Sequence, residues 1–256
     1  MKIHVLVDNC AGKACASEWG LSFYIEAEIN ILFDFGASDL FLKNGEKNKV
    51  DFAKLDYLVL SHGHWDHGNG LRFLRDKKLV CHPAAFTRRI SGERKTGLPL
   101  TKEECLKRFE LILAADPCDL TEKFTFLGQI PRNNKFEAQD TEFSQEDGSK
   151  DYLEDDSALV YKGEEGLIIV SGCAHSGICN IVDYAVKVTG INKIKAVIGG
   201  FHLKKGDSIT AKTIDHLKAL RVEQVIPTHC TAFPALVEFN KHFGSSQIYA
   251  GQVIEL

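Results

Sequence analysis

A short apolar strand followed at once by a dense group of metal-ligating side chains constrains this chain more than any other feature. Residues 57–60 (YLVL) predict a buried strand, and residues 61–68 (SHGHWDHG) follow without a break. Three imidazoles and a carboxylate so close together suit Zn²⁺ or another borderline divalent ion. The side chains of the adjacent residues Asp66 and His67 point in different directions. A single ion could not easily be coordinated by both of them and by the two earlier histidines. The spacing therefore indicates two neighbouring ions.

The same arrangement returns three times in the second half of the chain. The apolar runs 166–170, 194–198 and 222–226 each predict a strand that ends in a turn bearing a histidine. These histidines are His175, His202 and His229. In α/β folds one edge of the sheet gathers such turns into a site, so we expect the four turns to converge.

The order of the elements predicts an α/β architecture. Strand, loop, helix and strand follow one another at residues 57–81, and helical periodicity covers residues 178–188 and 208–220. Thr101 and Glu104 form a capping-box pattern that predicts the start of a further helix.

Regular periodicity is weaker in the middle of the chain. We expect a single domain over residues 1–256 with a flexible insertion or cap at about 83–155. The acidic stretch 137–156 predicts a mobile flap or a crossover, solvated and supplying no ligand. The basic stretch 88–95 predicts a solvated loop, with contact to an anionic substrate as the alternative.

Composition indicates an ordinary soluble globular protein, with 44% hydrophobic and 26% charged residues. A net charge of −4 gives no electrostatic case for nucleic acid as a partner. No run approaches the roughly 18 apolar residues of a spanning helix, so no membrane partner is expected. Asp8 interrupts the N-terminal run too early for a secretory signal. The eight cysteines contain no C-x-x-C pair and favour reduced thiols in a cytoplasm.

Three further residues have two interpretations each. Asp34, at the end of a predicted strand, either orients a ligand histidine or caps the helix suggested after it. Arg132 either forks a phosphate or carboxylate of the substrate or is merely exposed. His202 contacts either a metal ion or the substrate.

The remaining candidate ligands are expected to have structural roles. Four histidines do not lie in a glycine-containing turn after a predicted strand, and we expect them at the surface: His4, His82, His216 and His242. Cys173 and Cys230 stand beside candidate ligands, but neighbours along a turn point apart, which favours a packing role.

Together these pieces resemble the metallo-β-lactamase superfamily. The motif DFG at 34–36, the HxHxDH loop, His175 and His229 fall in the order of that superfamily. The resemblance implies a four-layer αββα sandwich of the α/β class with the metals at one edge. It also implies two ligand sets. The first ion would take His62, His64 and His175, and the second would take Asp66, His67 and His229.

The resemblance departs from the superfamily at one position. Where a bridging aspartate usually stands, the chain has Gly200, Phe201 and His202. Either His202 replaces the aspartate, or the bridging carboxylate is absent and the second ion is weaker. Finer motifs such as SGCAHSG at 171–177 are similar to the branch of dihydropterin–ribofuranosylaminobenzene phosphate synthase-like proteins.

These features predict a metal-dependent hydrolase that cleaves an ester-like bond, a phosphodiester or a lactone, through a metal-bound hydroxide. Asp66 would position the nucleophile, and His202 would contact an ion or the developing oxyanion. The expected cofactors are two divalent ions, zinc first, with manganese or iron as alternatives. The expected partner is a small anionic or phosphorylated molecule. The alternatives are a pterin-type transferase and a metal-dependent small-molecule sensor without turnover.

Overall fold

The computed structural model describes all 256 residues of the chain, which form a mixture of strands and helices. The strands are β1 (Lys2–Val7), β2 (Ser22–Glu26), β3 (Asn30–Phe33), β4 (Tyr57–Val59), β5 (Lys78–Cys81), β6 (Arg89–Ser91), β7 (Arg94–Lys95), β8 (Glu110–Leu113), β9 (Cys118–Asp119), β10 (Phe124–Phe126), β11 (Ser144–Gln145), β12 (Ala158–Gly163), β13 (Gly166–Ser171), β14 (Ile194–Gly200), β15 (Gln224–Thr228) and β16 (Val253–Glu255). The α-helices are α1 (Leu40–Lys47), α2 (Trp65–Gly68), α3 (Lys102–Arg108), α4 (Ile178–Thr189), α5 (Ser208–Ala219) and α6 (Phe233–Phe243). Short 3₁₀ turns lie at Phe52–Lys54, Asn69–Phe73 and Pro83–Phe86.

The first of two compact units contains Met1–Ala114, Glu142–Asp151 and Ile248–Leu256. Its main sheet has the strand order β16-β1-β2-β3-β4-β5-β8. The strands from β3 to β8 in this order run parallel, whereas β1 and β2 pair antiparallel. Apolar side chains of the sheet and of α1 and α3 form one hydrophobic core. Because β3, β4 and β5 are parallel, the segments that follow them leave from the same edge of the sheet.

The second unit contains Ala115–Thr141 and Tyr152–Gln247. Its sheet has the order β15-β14-β13-β12-β10-β9, and β13, β14 and β15 are parallel. The helices α4, α5 and α6 contribute apolar side chains to the core beside this sheet. The three parallel strands are mostly apolar and mostly buried, as expected of strands covered on their faces. Their carboxyl ends therefore deliver three consecutive turns to one edge.

The middle of the chain contains more regular structure than its weak periodicity suggests. Strand β8 is the edge strand of the first sheet, and β10 pairs with β12 in the second. The predicted capping box is confirmed: Thr101 accepts from the backbone N–H of Glu104, whose carboxylate accepts from the N–H of Thr101. The flexibility of residues 83–155 and the single domain remain predictions.

The helices of the structure include none with the length and apolar character needed to cross a membrane.

The capping box of α3 gives a stability prediction. Thr101→Ala removes the acceptor for a terminal N–H of α3, and we expect a loss of about 1 kcal/mol in the free energy of unfolding. Urea unfolding followed by circular dichroism measures the change. Lys107→Ala, an exposed change on the same helix, is the control and should shift the free energy by less than about 0.5 kcal/mol. Equal effects of the two changes would contradict the role of the cap.

A second prediction concerns pH. His216 of α5 lies 2.8 Å from the carboxylate of Asp183 of α4, and this hydrogen bond raises the pKa of His216. Because the folded pKa lies above the unfolded value, the stabilisation is complete below that value and is lost as the pH rises through the folded pKa. The pair is partly exposed, so the effect should stay below about 1 kcal/mol.

The measurement compares the melting temperatures of the wild type and Asp183→Asn over a range of pH. We expect Asp183→Asn to cost stability at about pH 6 and to cost little at about pH 8.5. Asp215→Asn, an exposed change on α5, should show no such pH dependence. A cost that is the same at both values would mean that protonation of His216 is not linked to folding.

Candidate metal centre

In the first unit, neighbouring parallel strands place Asp34 and the histidine loop (residues 61–68) together. Asp34 directly follows β3, and the loop follows β4, whose last residue pairs with Phe33. The backbone of Asp34 is left-handed, with φ of 55°, which is uncommon for a residue with a side chain. This turn directs the carboxylate of Asp34 into the loop.

The carboxylate of Asp34 organises the beginning of the histidine loop. Its Oδ1 accepts from the backbone N–H of Ser61 at 2.8 Å, and its Oδ2 accepts from the hydroxyl of Ser61 at 2.7 Å. The same Oδ2 lies 2.6 Å from Nδ1 of His67. Asp34 and His67 are both fully buried, so these bonds are shielded from water.

The hydroxyl of Ser61 determines the tautomer of His62. It donates its one proton to Asp34 and lies 2.9 Å from Nδ1 of His62. Since a hydroxyl that has donated can then only accept, Nδ1 of His62 carries the proton and Nε2 presents a lone pair. The acceptor Asp34 imposes the same tautomer on His67. Both imidazoles are therefore held in the form that binds metal through Nε2.

The donor atoms of the histidine loop fit a divalent ion. Nε2 of His62 lies 3.0 Å from Nδ1 of His64, and two nitrogens on one tetrahedral zinc ion lie about 3.3 Å apart. The ring centroids of His62 and His67 are 4.3 Å apart, and a carboxylate oxygen of Asp66 lies 3.9 Å from Nε2 of His67. Three imidazoles and one carboxylate thus converge, as the sequence predicted for this loop.

Close backbone packing fixes the path of the loop. A Cβ at Gly63 would lie 1.9 Å from the carbonyl oxygen of Ala85, so only glycine fits there. The carbonyl of Asp66 accepts from the N–H of Leu21, and that of His67 accepts from the N–H of Phe35. These two hydrogen bonds fix the backbone at the candidate ligands Asp66 and His67.

In the second unit, the three turns after β13, β14 and β15 bring their side chains together. Ligand atoms of Cys173, His202 and Cys230 all lie within 4.8 Å of one another. The rings of His175 and His202 are 4.4 Å apart between centroids. His229, next to Cys230, is buried. The convergence expected of the three later histidine turns is present within this unit.

Each of these turns contains a residue in the left-handed region. Ala174, His202 and His229 have φ values of 51°, 50° and 51°. A non-glycine residue pays a steric penalty in this conformation, and such residues concentrate at functional sites. The backbone strain in the three turns therefore lies at a candidate ligand, His202 or His229, or beside one, at Ala174.

The thiol of Cys230 lies in a polar setting despite its burial. It accepts from the backbone N–H of His202 at 3.3 Å and donates to the carbonyl of Cys173 at 3.6 Å. Burial alone would raise the pKa of Cys230, but hydrogen bonds with Cys173 and His202 and the nearby charges of His202 and His229 lower it well below its usual value.

A buried aspartate holds the turn that carries His175. Oδ2 of Asp156 accepts from the backbone N–H of Ser176 at 2.9 Å and from its hydroxyl at 2.5 Å. Burial raises the pKa of Asp156 to about 6, although the bonds from Ser176 act in the opposite direction. The turn is thus anchored one residue beyond His175.

A second acid, Glu137, caps the helix that follows the same turn. Its carboxylate accepts from the backbone N–H of Cys179 at 3.0 Å and from the side chain of Asn134 at 2.8 Å. The N-cap residue of α4 is Gly177, which has no side chain for this purpose. Glu137 therefore supplies from a distant segment the cap that the sequence around α4 lacks.

No family model matches the chain. The chain is similar over its whole length to the crystal structure of Tm1679, a metal-dependent hydrolase of the β-lactamase superfamily. The two are 33% identical, the similarity covers 100% of this chain and 99% of that one, and the TM-score is 0.90. The chain belongs to the metallo-β-lactamase superfamily. The superfamily fold predicted from the sequence is thereby confirmed.

The chain is also similar over nearly its whole length to two proteins from Methanocaldococcus jannaschii. One is described as 7,8-dihydropterin-6-methyl-4-(β-D-ribofuranosyl)-aminobenzene-5′-phosphate synthase and is 34% identical, over 100% of this chain and 96% of its own length. The other is an uncharacterized protein that is 33% identical, over 98% of this chain and 99% of its own length. The predicted resemblance to the synthase-like branch of the metallo-β-lactamase superfamily is confirmed.

The expectation that the acidic stretch of this superfamily member is solvated was wrong for four of its acids, while the other acids of the stretch are exposed. Residues 137–156 were predicted to be solvated, but Glu137, Asp151, Asp155 and Asp156 are buried. Nothing in the local pattern distinguishes Glu137, whereas Asp155 and Asp156 lie shortly before β12, whose first half is buried, and this position is a signal of burial. The sequence therefore missed the two acids that hold the turn of His175 and the helix α4.

The basic stretch 88–95 was also predicted to be solvated, and this is wrong for Arg89. Arg89 is 2% exposed and donates from Nε to Asp151 at 2.5 Å. Both residues belong to the first unit, where this ion pair joins the acidic stretch to β6. A surface prediction from charge alone failed because each charge has a buried partner.

The remaining residues singled out in the sequence, Arg132 and four histidines, each have a hydrogen-bond partner in the structure. Arg132 is half-buried and donates to the carbonyl of Tyr152. His82 is 5% exposed, contrary to the surface position predicted for it, and accepts from the N–H of Ala84. The other predicted surface histidines have partners away from the candidate site: Glu26 for His4, Asp183 for His216 and Lys218 for His242.

The tautomer argument gives a prediction for Asp34. In Asp34→Asn the amide retains one acceptor for Ser61 but presents an N–H group toward its other partners, which favours the opposite tautomer of His67. We expect zinc affinity to fall about 10- to 100-fold, measured by calorimetric titration of metal-free protein.

Asp39→Asn is the matched control, because Asp39 lies at the start of α1 and pairs with exposed Lys43. Its zinc affinity should equal that of the wild type. Unchanged affinity in Asp34→Asn would show that Asp34 does not orient a ligand.

Proposed function

We propose that this member of the superfamily is a metal-dependent hydrolase that cleaves an ester-like bond, with phosphodiesters and lactones as the candidate substrates. The observation that supports it best is the fixed tautomer of His62 and His67, imposed by Asp34 and Ser61. In both of these buried imidazoles Nε2 is the unprotonated nitrogen, which is the form that binds a metal ion. A third imidazole and a carboxylate lie beside them.

The proposed ligands are those that the superfamily resemblance assigns to two divalent ions. The first set is His62, His64 and His175, and the second is Asp66, His67 and His229. Nitrogen-rich sets with one carboxylate favour zinc. When bound, the ions would supply a water molecule of lowered pKa and polarise the oxygen of the scissile bond.

The residues of the chain supply position and charge for this chemistry. Asp34 and Ser61 keep the proton on Nδ1 of His62 and His67. Asp66 is proposed to orient the attacking water, and His202 to contact an ion or the oxyanion that develops. The left-handed backbone of His202 fixes the direction of its imidazole before substrate arrives.

Arg132 is proposed to bind an anionic group of the substrate. It donates to the carbonyl of Tyr152 through Nη2, while its Nε is buried and has no hydrogen-bond partner in the protein. A buried guanidinium N–H without an acceptor is costly, and a phosphate or carboxylate oxygen would satisfy it.

A transferase of the pterin type is the second candidate, favoured by the similarity to the M. jannaschii synthase over the whole chain. Two parallel assays separate the candidates. The zinc-loaded protein is given bis-p-nitrophenyl phosphate and a lactone, or a pterin pyrophosphate together with an aryl amine. Hydrolysis of the ester-like substrates without condensation supports the hydrolase, and condensation alone overturns it.

Removal of a proposed ligand gives the central prediction for the hydrolase. His64→Ala and Asp66→Ala should each lower kcat about 100-fold or more, because each removes a group that holds an ion or orients the water. Circular dichroism should stay near that of the wild type, and the bound metal, measured by elemental analysis, should fall.

His242→Ala is the control, since His242 is exposed and bonded to Lys218. It should leave both turnover and metal content unchanged. Turnover at the wild-type rate in His64→Ala and Asp66→Ala would remove the basis of the assignment.

A further inference from the structure

Two buried thiols lie beside His202, where the sequence predicted a packing role for them. Cys173 is 3% and Cys230 is 4% exposed, and they come from the turns after β13 and β15. Their sulfur atoms and an imidazole nitrogen of His202 form a group within 4.8 Å. All three residues belong to the second unit.

Gly200, which has no side chain, lies beside both thiol-bearing residues. A Cβ at Gly200 would lie 2.5 Å from Sγ of Cys230 and 3.3 Å from Cα of Cys173. Glycine at position 200 therefore keeps open the space in which the sulfur of Cys230 lies. A Cβ there would also lie 2.5 Å from the carbonyl oxygen of Gly172, so the backbone of the turn after β13 requires glycine at this position as well.

The strain at His202 is a second and independent sign. His202 has φ of 50° and its N–H donates to Sγ of Cys230. The penalty for a histidine in this region is tolerated where the direction of the side chain matters. The left-handed turn directs the imidazole toward the two thiols.

We propose that Cys173, His202 and Cys230 form a thiolate-rich metal site for a thiophilic divalent ion, zinc in the first place. The ion binds two sulfur atoms and one imidazole nitrogen, and the two thiol protons pass to solvent. The site rests on the proposed function in one respect, because it takes His202 as a metal ligand. It adds two sulfur ligands that the superfamily resemblance does not assign.

The dimensions of the cluster suit such an ion. Donors on a tetrahedral zinc ion, with Zn–S of about 2.3 Å and Zn–N of about 2.0 Å, lie about 3.3 to 3.8 Å apart. Three donors already within 4.8 Å of one another need to close by at most about 1.0 to 1.5 Å. Three protein ligands leave a fourth position for water or substrate, as in catalytic rather than structural zinc sites. Thiolate ligands also disfavour manganese and magnesium, which prefer oxygen.

Cobalt spectroscopy tests the proposal with a readout other than activity. Full-length protein is freed of metal with a chelator, kept anaerobic with a phosphine reductant, and titrated with Co²⁺. Visible d–d bands report bound cobalt whatever its ligands, whereas a near-ultraviolet charge-transfer band appears only when a thiolate binds the ion. We expect both bands in the wild type, and zinc should abolish both by displacing the cobalt.

Variants assign the charge-transfer band. Cys173→Ser and Cys230→Ser should each remove about half of its intensity and the double variant all of it, since the band scales with the number of Co–S bonds. Cys179→Ala is the matched control: Cys179 is buried in the same unit, and burial followed by the charge of Glu137 raises its pKa. Its spectrum should match that of the wild type. His202→Asn should lower cobalt affinity about 10-fold or more and keep the charge-transfer band.

The outcomes separate this proposal from the proposed function. Visible bands without a charge-transfer band would overturn the thiolate site and leave the histidine and carboxylate ligands in place. A charge-transfer band that persists in the double variant or disappears in Cys179→Ala would also overturn it. A wild type that binds no cobalt would overturn both proposals. A charge-transfer band in a protein that cleaves no ester would support the site and count against the hydrolase.

Discussion

The carboxylate of Asp34 is the interaction on which the first unit's candidate site depends. Through Ser61 and His67 it joins the ends of two parallel strands and sets the protonation of two imidazoles. The three groups are fully buried, so loss of the carboxylate would leave donors without acceptors in a region that water does not reach. A single acid thus bonds the ends of two strands together and, directly or through Ser61, keeps Nε2 of two imidazoles unprotonated.

Much of this arrangement could be predicted from the sequence because it is local. The strand at 57–60 and the histidines after it lie in one continuous segment, and the capping box of α3 spans four positions, Thr101 to Glu104. The parallel order of β13, β14 and β15 follows from strands that alternate with helices, so the meeting of their turns was also predictable.

Contacts between distant segments were not predictable in this way. Glu137 and Asp156 belong to a polar stretch with no periodicity, and their burial depends on Cys179 and Ser176, which lie 42 and 20 positions away. The proximity of Cys173 to Cys230 likewise depends on which strands are neighbours rather than on the residues beside either cysteine. Charge and spacing show which chemical groups a segment contains, but the tertiary fold determines which residues those groups contact.

The cap on α4 has a consequence for substrate recognition. The first N–H groups of a helix and the positive end of its dipole commonly bind phosphate. In α4 the carboxylate of Glu137 already occupies the N–H groups of Cys179 and Asn180, and Asn134 bonds the same carboxylate. This positive pole is neutralised from within the protein. An anionic group bound near His175 would therefore depend on cationic side chains or bound ions for its counter-charge, and not on the terminus of the adjacent helix.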